Sequence, residues 1–169
     1  MNMTPLPWEN QADEVVAWRL DRAQYASTWD SGIGAETLGG RWNRKGTRAV
    51  YASLDPAAAM SEVAVHVGFK TLDTVAHVLT AFKVRVPQSG RVLRPADVPN
   101  PNWLIPGTPS LGQQEFGTKL LAEFGLIFVP SSVSKYGWNL VLQPGVHEGK
   151  YELLGQTPFA LDTRLHLPG

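Results

Sequence analysis

The stretch Gly39-Gly40-Arg41-Trp42-Asn43-Arg44-Lys45-Gly46, run straight into the apolar segment Ala49-Val50-Tyr51-Ala52-Ser53, constrains this chain most. Two adjacent glycines allow a sharp turn and a close backbone approach, since neither carries a Cβ. Arg41 follows at once, a planar five-donor cation suited to a carboxylate or a phosphate. Arg44, Lys45 and Arg48 add positive charge around it. A short strand then carries Tyr51 and Ser53 away from the turn, and a helix from Pro56 carries Glu62. Two readings stand: a surface turn with an exposed arginine and a core tyrosine, or a loop that binds a small anion.

Glu62 weighs on that choice. Asp55-Pro56 is an N-cap followed by proline at the first helical position, and Gly68 is a natural stop, so the helix spans Pro56 to Val67. The neighbours of Glu62 three and four residues away are Ala58, Ala59, Val65 and His66, and no lysine or arginine lies between Ala57 and Val67. A carboxylate without ionic company on its own helix faces the interior or a cleft. Burial there demands a specific partner. A structural partner such as Arg41 or His66 would suffice; a functional carboxylate is the other reading.

Taken in order, Val15 to Leu20 reads as a strand in which Arg19 is either a second cation near the site or an edge-strand arginine. Thr28 to Leu38 reads as a glycine-rich loop, placed as a flap over a cleft. Thr74 to Val86 is rich in β-branched residues and reads as a long central strand, with His77 packed inside it. Pro95 to Pro109 is a proline-rich connection holding Trp103. Leu111 to Phe124 reads as a helix with Phe116, Leu120, Leu121 and Phe124 inward, stopped at Gly125. Strands are expected at Leu126–Pro130, ending in Ser131, at Trp138–Leu142, and at Phe159–Leu165. Mixed order rather than strict alternation points to an α+β fold, central β-sheets with flanking helices in one domain over residues 1–169.

Composition narrows the function. Fifteen basic and fifteen acidic side chains cancel, which argues against direct nucleic-acid binding. There is no cysteine, and the four histidines lack paired ligand spacing, so no metal site is expected. No signal peptide and no apolar run long enough for a membrane appear, so a cytoplasmic protein is expected.

The order Gly-Gly-Arg-Trp-Asn, Tyr51, Glu62 and Val129-Pro130-Ser131 resembles the RES-domain family, named for its arginine, glutamate and serine. The likeness runs from Trp18-Arg19-Leu20 and Gly32-Ile33-Gly34-Ala35, through Ser110-Leu111-Gly112, to the stretch Pro158 to Leu165. One departure stands out. Members usually carry Asn-Pro-x-His after the serine, whereas here Asn139 is followed by Leu140-Val141-Leu142-Gln143-Pro144, with His147 later. The resemblance implies a fold like that of ADP-ribosyl-transferring toxins. It implies NAD as substrate rather than cofactor, cleaved at the nicotinamide–ribose bond with phosphate or water as acceptor, and a cognate Xre-type DNA-binding antitoxin as partner. A protein mono-ADP-ribosyltransferase and a non-catalytic nucleotide-binding module are the alternatives. On the family pattern Arg41, Glu62 and Ser131 are catalytic, and Arg19, Gly40, Arg41, Tyr51, Ser53 and Ser131 bind NAD. The chemistry of these side chains agrees: a carboxylate for the ribose cation, an arginine fork for pyrophosphate, and an aromatic ring to stack on nicotinamide.

Overall fold

Side-chain alternation on a few short strands decides which residues this molecule gathers on one face. The computed structural model describes residue 6 and residues 14–86, 91–103, 105, 107, 109–133, 136–146 and 149–160. Its strands are β1 (Glu14–Arg22), β2 (Val50–Ser53), β3 (His77–Arg85), β4 (Arg91–Val92), β5 (Leu126–Pro130), β6 (Trp138–Leu142) and β7 (Tyr151–Phe159). They form one mixed sheet in the order β4-β5-β6-β2-β1-β3-β7, antiparallel throughout except for the β4–β5 pair. Around it lie α1 (Ile33–Leu38), α2 (Pro56–Val67), α3 (Phe69–Thr74) and α4 (Leu111–Phe124). The α+β class expected from the sequence is the one observed.

Register does the sorting. Tyr51 stands opposite Val141 and Ser53 opposite Asn139, while Asn139 also faces Val129 on β5. Residues directly opposite share a face, so Ser53, Asn139 and Val129 form one row and Tyr51, Val141 and Ile127 the next. Ile127, Val129 and Val141 pack with Trp42, Trp103 and Leu121 under α4. The alternate residues Val50, Ala52, Phe128, Leu140 and Leu142 turn to the other face, with Ala17, Phe82, Val84 and Trp29. Helices α2 and α3 close the first face at its β1–β3 end, through Leu72, Met60 and Val63 against Leu20 and Leu79.

Capping fixes the helices as their sequences require. The Asp55 side chain accepts from Ala58 N at 2.9 Å, and Gly68 ends α2 with φ 82°. Ser110 caps α4 in the same way, and Gly125 ends it in the left-handed region with φ 71°. The inward stripe of α4 is Gln113, Gly117 and Leu121, with Phe116 and Leu120 packed partly beside it. That stripe is rotated from the expected Phe116-Leu120-Leu121-Phe124 face because a main-chain loop, not a side chain, packs on its middle. A Cβ on Gly117 would lie 2.1 Å from the Trp42 carbonyl oxygen.

Three expectations are corrected. Thr28–Leu38 is not loop throughout: a 3-10 turn ends at Thr28, and α1 begins after Gly32 at φ 70°. At six residues α1 is too short for its periodicity to show in the sequence. The strand expected from Thr74 begins at His77, since Phe69–Thr74 forms α3 and buries Leu72. His77 is buried in β3, with Nδ1 2.6 Å from the Val75 carbonyl. The strand expected at Phe159–Leu165 meets the structure at one residue, because Phe159 ends β7, and residues 161–165 lie outside the described ones. A register shift opposite Ala81 and Phe82 breaks the alternation of β7, which hides it in the sequence. Pro158 is tolerated there because β7 is an edge strand.

Candidate functional site

Four elements bring their polar residues to one place on the face shared by α2 and α4. Glu62 projects from α2 and is half-buried. Its Oε1 accepts from Ser131 Oγ at 2.7 Å and from Asn139 Nδ2 at 2.7 Å. The Asn139 amide is turned that way by Ser53, whose hydroxyl donates to Oδ1 at 2.9 Å. Ser131 is fixed in turn: its Oγ accepts from Val133 N at 3.1 Å, and its own N–H donates to the Gly137 carbonyl. Ser53, Asn139 and Ser131 thus hold one carboxylate oxygen in place. Both of these hydrogen bonds to the carboxylate fall on Oε1.

The Gly-Gly-Arg turn is built around the Tyr51 hydroxyl. That hydroxyl accepts from Trp42 N at 3.0 Å and donates to Asn43 Oδ1 at 2.6 Å. Asn43 is fully buried, and its Nδ2 donates to the carbonyls of Ala35, Arg44 and Thr47. Gly40 must lack a side chain, because a Cβ there would stand 2.5 Å from the Tyr51 hydroxyl oxygen. Gln114 reaches over from α4 to donate to the Gly40 carbonyl at 3.0 Å. Burial pushes the Tyr51 phenol far above its ordinary pKa, so it stays a neutral donor. The sequence suggests either a core ring or a stacking ring at this position; the fold makes its hydroxyl a pin.

Arg41 leaves this turn half-buried and donates through Nη1 to the Trp103 carbonyl. Burial lowers its pKa from the ordinary value, while attraction to the Glu62 carboxylate opposes the fall. Glu62 therefore lies close enough to act on the Arg41 charge. A cavity of about 200 Å³ opens beside Arg41, lined by Asn102, Trp103, Ile105 and Gln113 among others. The neighbouring cations point elsewhere: Arg44 pairs with Glu115 at 3.2 Å and Arg48 with Glu36 at 3.4 Å, both exposed. Arg19 donates to the Tyr51 carbonyl at 3.0 Å and to Asp21 at 2.9 Å, bracing β1 against β2. Its described bonds are to the protein's own frame.

The sequence pattern puts Arg19, Gly40, Arg41, Tyr51, Ser53, Glu62 and Ser131 in one site. Hydrogen bonds link Ser131 to Glu62 directly and Ser53 to it through Asn139. Arg19 holds the Tyr51 carbonyl, and Gly40 packs on the Tyr51 hydroxyl beside Arg41. The pattern leaves out Asn139, which lies in the stretch where the family pattern departs. A signal is present, since Asn139 alternates with Val141 on a strand whose other residues are all apolar. His147 lies outside the described residues. Among the described residues no cluster of metal-binding side chains occurs, and no helix is long and apolar enough to cross a membrane.

The chain is similar to known proteins over most of its length. A family model described as "RES domain" matches residues 16–162. A Yersinia enterocolitica protein named Toxin Res is 35% identical over 158 residues, covering 89% of this chain and 99% of that protein. A Photorhabdus laumondii Toxin Res is 31% identical over 156 residues, covering 89% and 97%. A Sphingobium protein named Prs ADP-ribosylating toxin is 31% identical over 144 residues, covering 79% and 84%. Among solved structures, the M. tuberculosis MbcT–MbcA toxin–antitoxin complex contains a chain of similar fold, with TM-score 0.69, 17% identity and coverage of 87% and 85%.

Tyr51→Phe tests the pin. It leaves Trp42 N and the Asn43 side-chain oxygen without their partner, which costs about 1–3 kcal/mol and lowers Tm by roughly 3–10 °C. Thermal denaturation reads this directly; an unchanged Tm would mean that the turn holds its shape without the hydroxyl.

Proposed function

Because this chain belongs to the RES-domain family of toxins, we propose that it depletes NAD by cleaving the nicotinamide–ribose bond. The observation that carries this reading is Glu62, a half-buried carboxylate with one oxygen clamped by Ser131 and Asn139 and, among the described residues, no hydrogen bond on the other. Breaking the bond sends its electron pair to the nicotinamide nitrogen and leaves positive charge on the ribose, as in glycoside hydrolysis. A fixed carboxylate facing that charge stabilises the transition state more than the bound substrate. Nicotinamide departs as a neutral ring, so no strong general acid is required. Water or phosphate then attacks the anomeric carbon, and an attacking water loses its proton to solvent. Arg41 keeps the rest of its donor fork for the pyrophosphate, because only Nη1 is engaged by Trp103 among the described residues.

A second reading uses the same site with a protein side chain as acceptor. What favours it is the Sphingobium relative, whose name is that of an ADP-ribosylating toxin. Both readings share the bond-breaking step. Nicotinamide release measured with and without phosphate, and with cell protein present, separates them.

An antitoxin partner, of the DNA-binding Xre type, belongs to the proposal as well. The solved relative of similar fold was captured with its antitoxin. A carboxylate of such a partner on Arg41 would take the place of phosphate. Arg41→Ala should then weaken both antitoxin and NAD binding in titration calorimetry; a complex of unchanged affinity that still binds NAD would exclude occlusion.

Glu62→Gln keeps the shape and removes the charge. We expect nicotinamide release to fall roughly 100- to 1000-fold, about 3–4 kcal/mol of transition-state stabilisation, with the unfolding transition retained. Full activity in a folded Glu62→Gln protein would make the carboxylate structural. No nicotinamide released by the wild type under any acceptor would remove the proposal.

A further inference from the structure

The first turn of α4 holds an amide that bonds to nothing among the described residues. Gln113 is 3% exposed, and both its Oε1 and its Nε2 are buried without a hydrogen-bond partner there. Its backbone N–H is taken by the Ser110 cap at 3.2 Å, but its side chain is left over. An unpaired buried amide is unfavourable, and a leucine or methionine would fill the same space without that penalty. Gln113 also lines two adjoining cavities. One, of about 200 Å³, is the cavity beside Arg41; the other, of about 310 Å³, is lined by Pro99, Gly112 and Phe116. Asn100, Ser110 and Gln113 are common to both.

Resting on the NAD reading above, we propose that these cavities seat the adenine end of the dinucleotide, and that Gln113 reads the base. A primary amide carries one donor and one acceptor side by side, and adenine offers the matching pair, a 6-amino donor beside the N7 acceptor. The last torsion of a glutamine side chain is broad, so the amide plane is able to turn into line with a planar base. Trp103, Ile105, Pro99 and Phe116 supply apolar surface for a planar ring. Among the described residues Arg41 is the one charged side chain lining either cavity, which suits a neutral base next to a pyrophosphate. Arg41 is bonded to the Trp103 carbonyl beside the cavity and is attracted to Glu62, which does not line it. A cation shared by the cavity and the carboxylate suits the pyrophosphate, which joins the adenine half of the substrate to the nicotinamide ribose.

Steady-state nicotinamide release decides it, with NAD compared against nicotinamide hypoxanthine dinucleotide, in which an oxygen acceptor replaces the 6-amino donor. The wild type should prefer NAD in kcat/KM by about ten- to a hundredfold, the discrimination expected of one bidentate base contact. Gln113→Met should lose that preference through KM, with kcat nearly unchanged and with thermal stability equal or higher. A third substrate, 3-acetylpyridine adenine dinucleotide, alters the other end, and its rate relative to NAD should be the same in both proteins. If Gln113→Met changes that ratio instead, the cavities hold the nicotinamide end and the proposal is wrong. A wild type that consumes NAD but accepts hypoxanthine equally well overturns this inference alone. A wild type that neither binds nor consumes NAD removes it together with the functional reading. Wild-type discrimination needs no variant, so the outcome stands even where Gln113→Met does not fold.

Discussion

Two hydrogen bonds of 2.7 Å onto Glu62 Oε1 tie helix α2 to Ser131 and Asn139, 69 and 77 positions further along the chain. Hydrogen bonds to a charged group are worth about 1.5–3 kcal/mol each, enough to hold a half-buried carboxylate in one orientation. They exist only because β2, β5 and β6 are in register, so that Ser53 meets Asn139 and Ser131 follows Pro130 off the end of β5. A slip of one residue would turn these side chains to the opposite face. The apolar residues on that opposite face, Phe128, Leu140 and Leu142 among them, therefore fix the geometry around Glu62 by resisting the slip.

The cationic half of the site depends on close approach rather than on side-chain packing. Gly117 admits the Trp42 carbonyl to the surface of α4, and Gly40 admits the Tyr51 hydroxyl beneath the turn. Tyr51 and Asn43 then satisfy polar groups inside the turn, and Gln114 and Thr118 of α4 take the Gly40 carbonyl and the Arg44 N–H. Arg41 leaves a rigid loop on one side and is braced by Trp103 on the other. Such preorganisation matters where a charge must meet pyrophosphate without a search over rotamers.

Helix ends and the isolated carboxylate are legible in the order of residues alone. Asp55, Gly68, Ser110 and Gly125 mark the ends of α2 and α4, because capping is local chemistry written in single residues. Glu62 betrays itself by the lack of charged neighbours on its own helix. What stays hidden is what tertiary approach alone creates. The second glycine's purpose depends on a tyrosine eleven positions later in the chain, and the partner of Gly117 is the carbonyl of Trp42. Asn139 can be placed on a strand, but its pairing with Glu62 requires the register of three strands. Gln113 reads in sequence as an ordinary first-turn residue; only its burial shows an amide without a partner.

The central claim is that Glu62 and the groups clamping it act as one catalytic unit. A double-mutant cycle on nicotinamide release from NAD, with Glu62→Gln, Asn139→Ala and the pair together, measures this most directly. Residues that act as a unit are strongly non-additive. The account predicts that Asn139→Ala slows the wild type but scarcely affects a protein already carrying Glu62→Gln. Losses that simply add would show that Asn139 acts elsewhere and would contradict it.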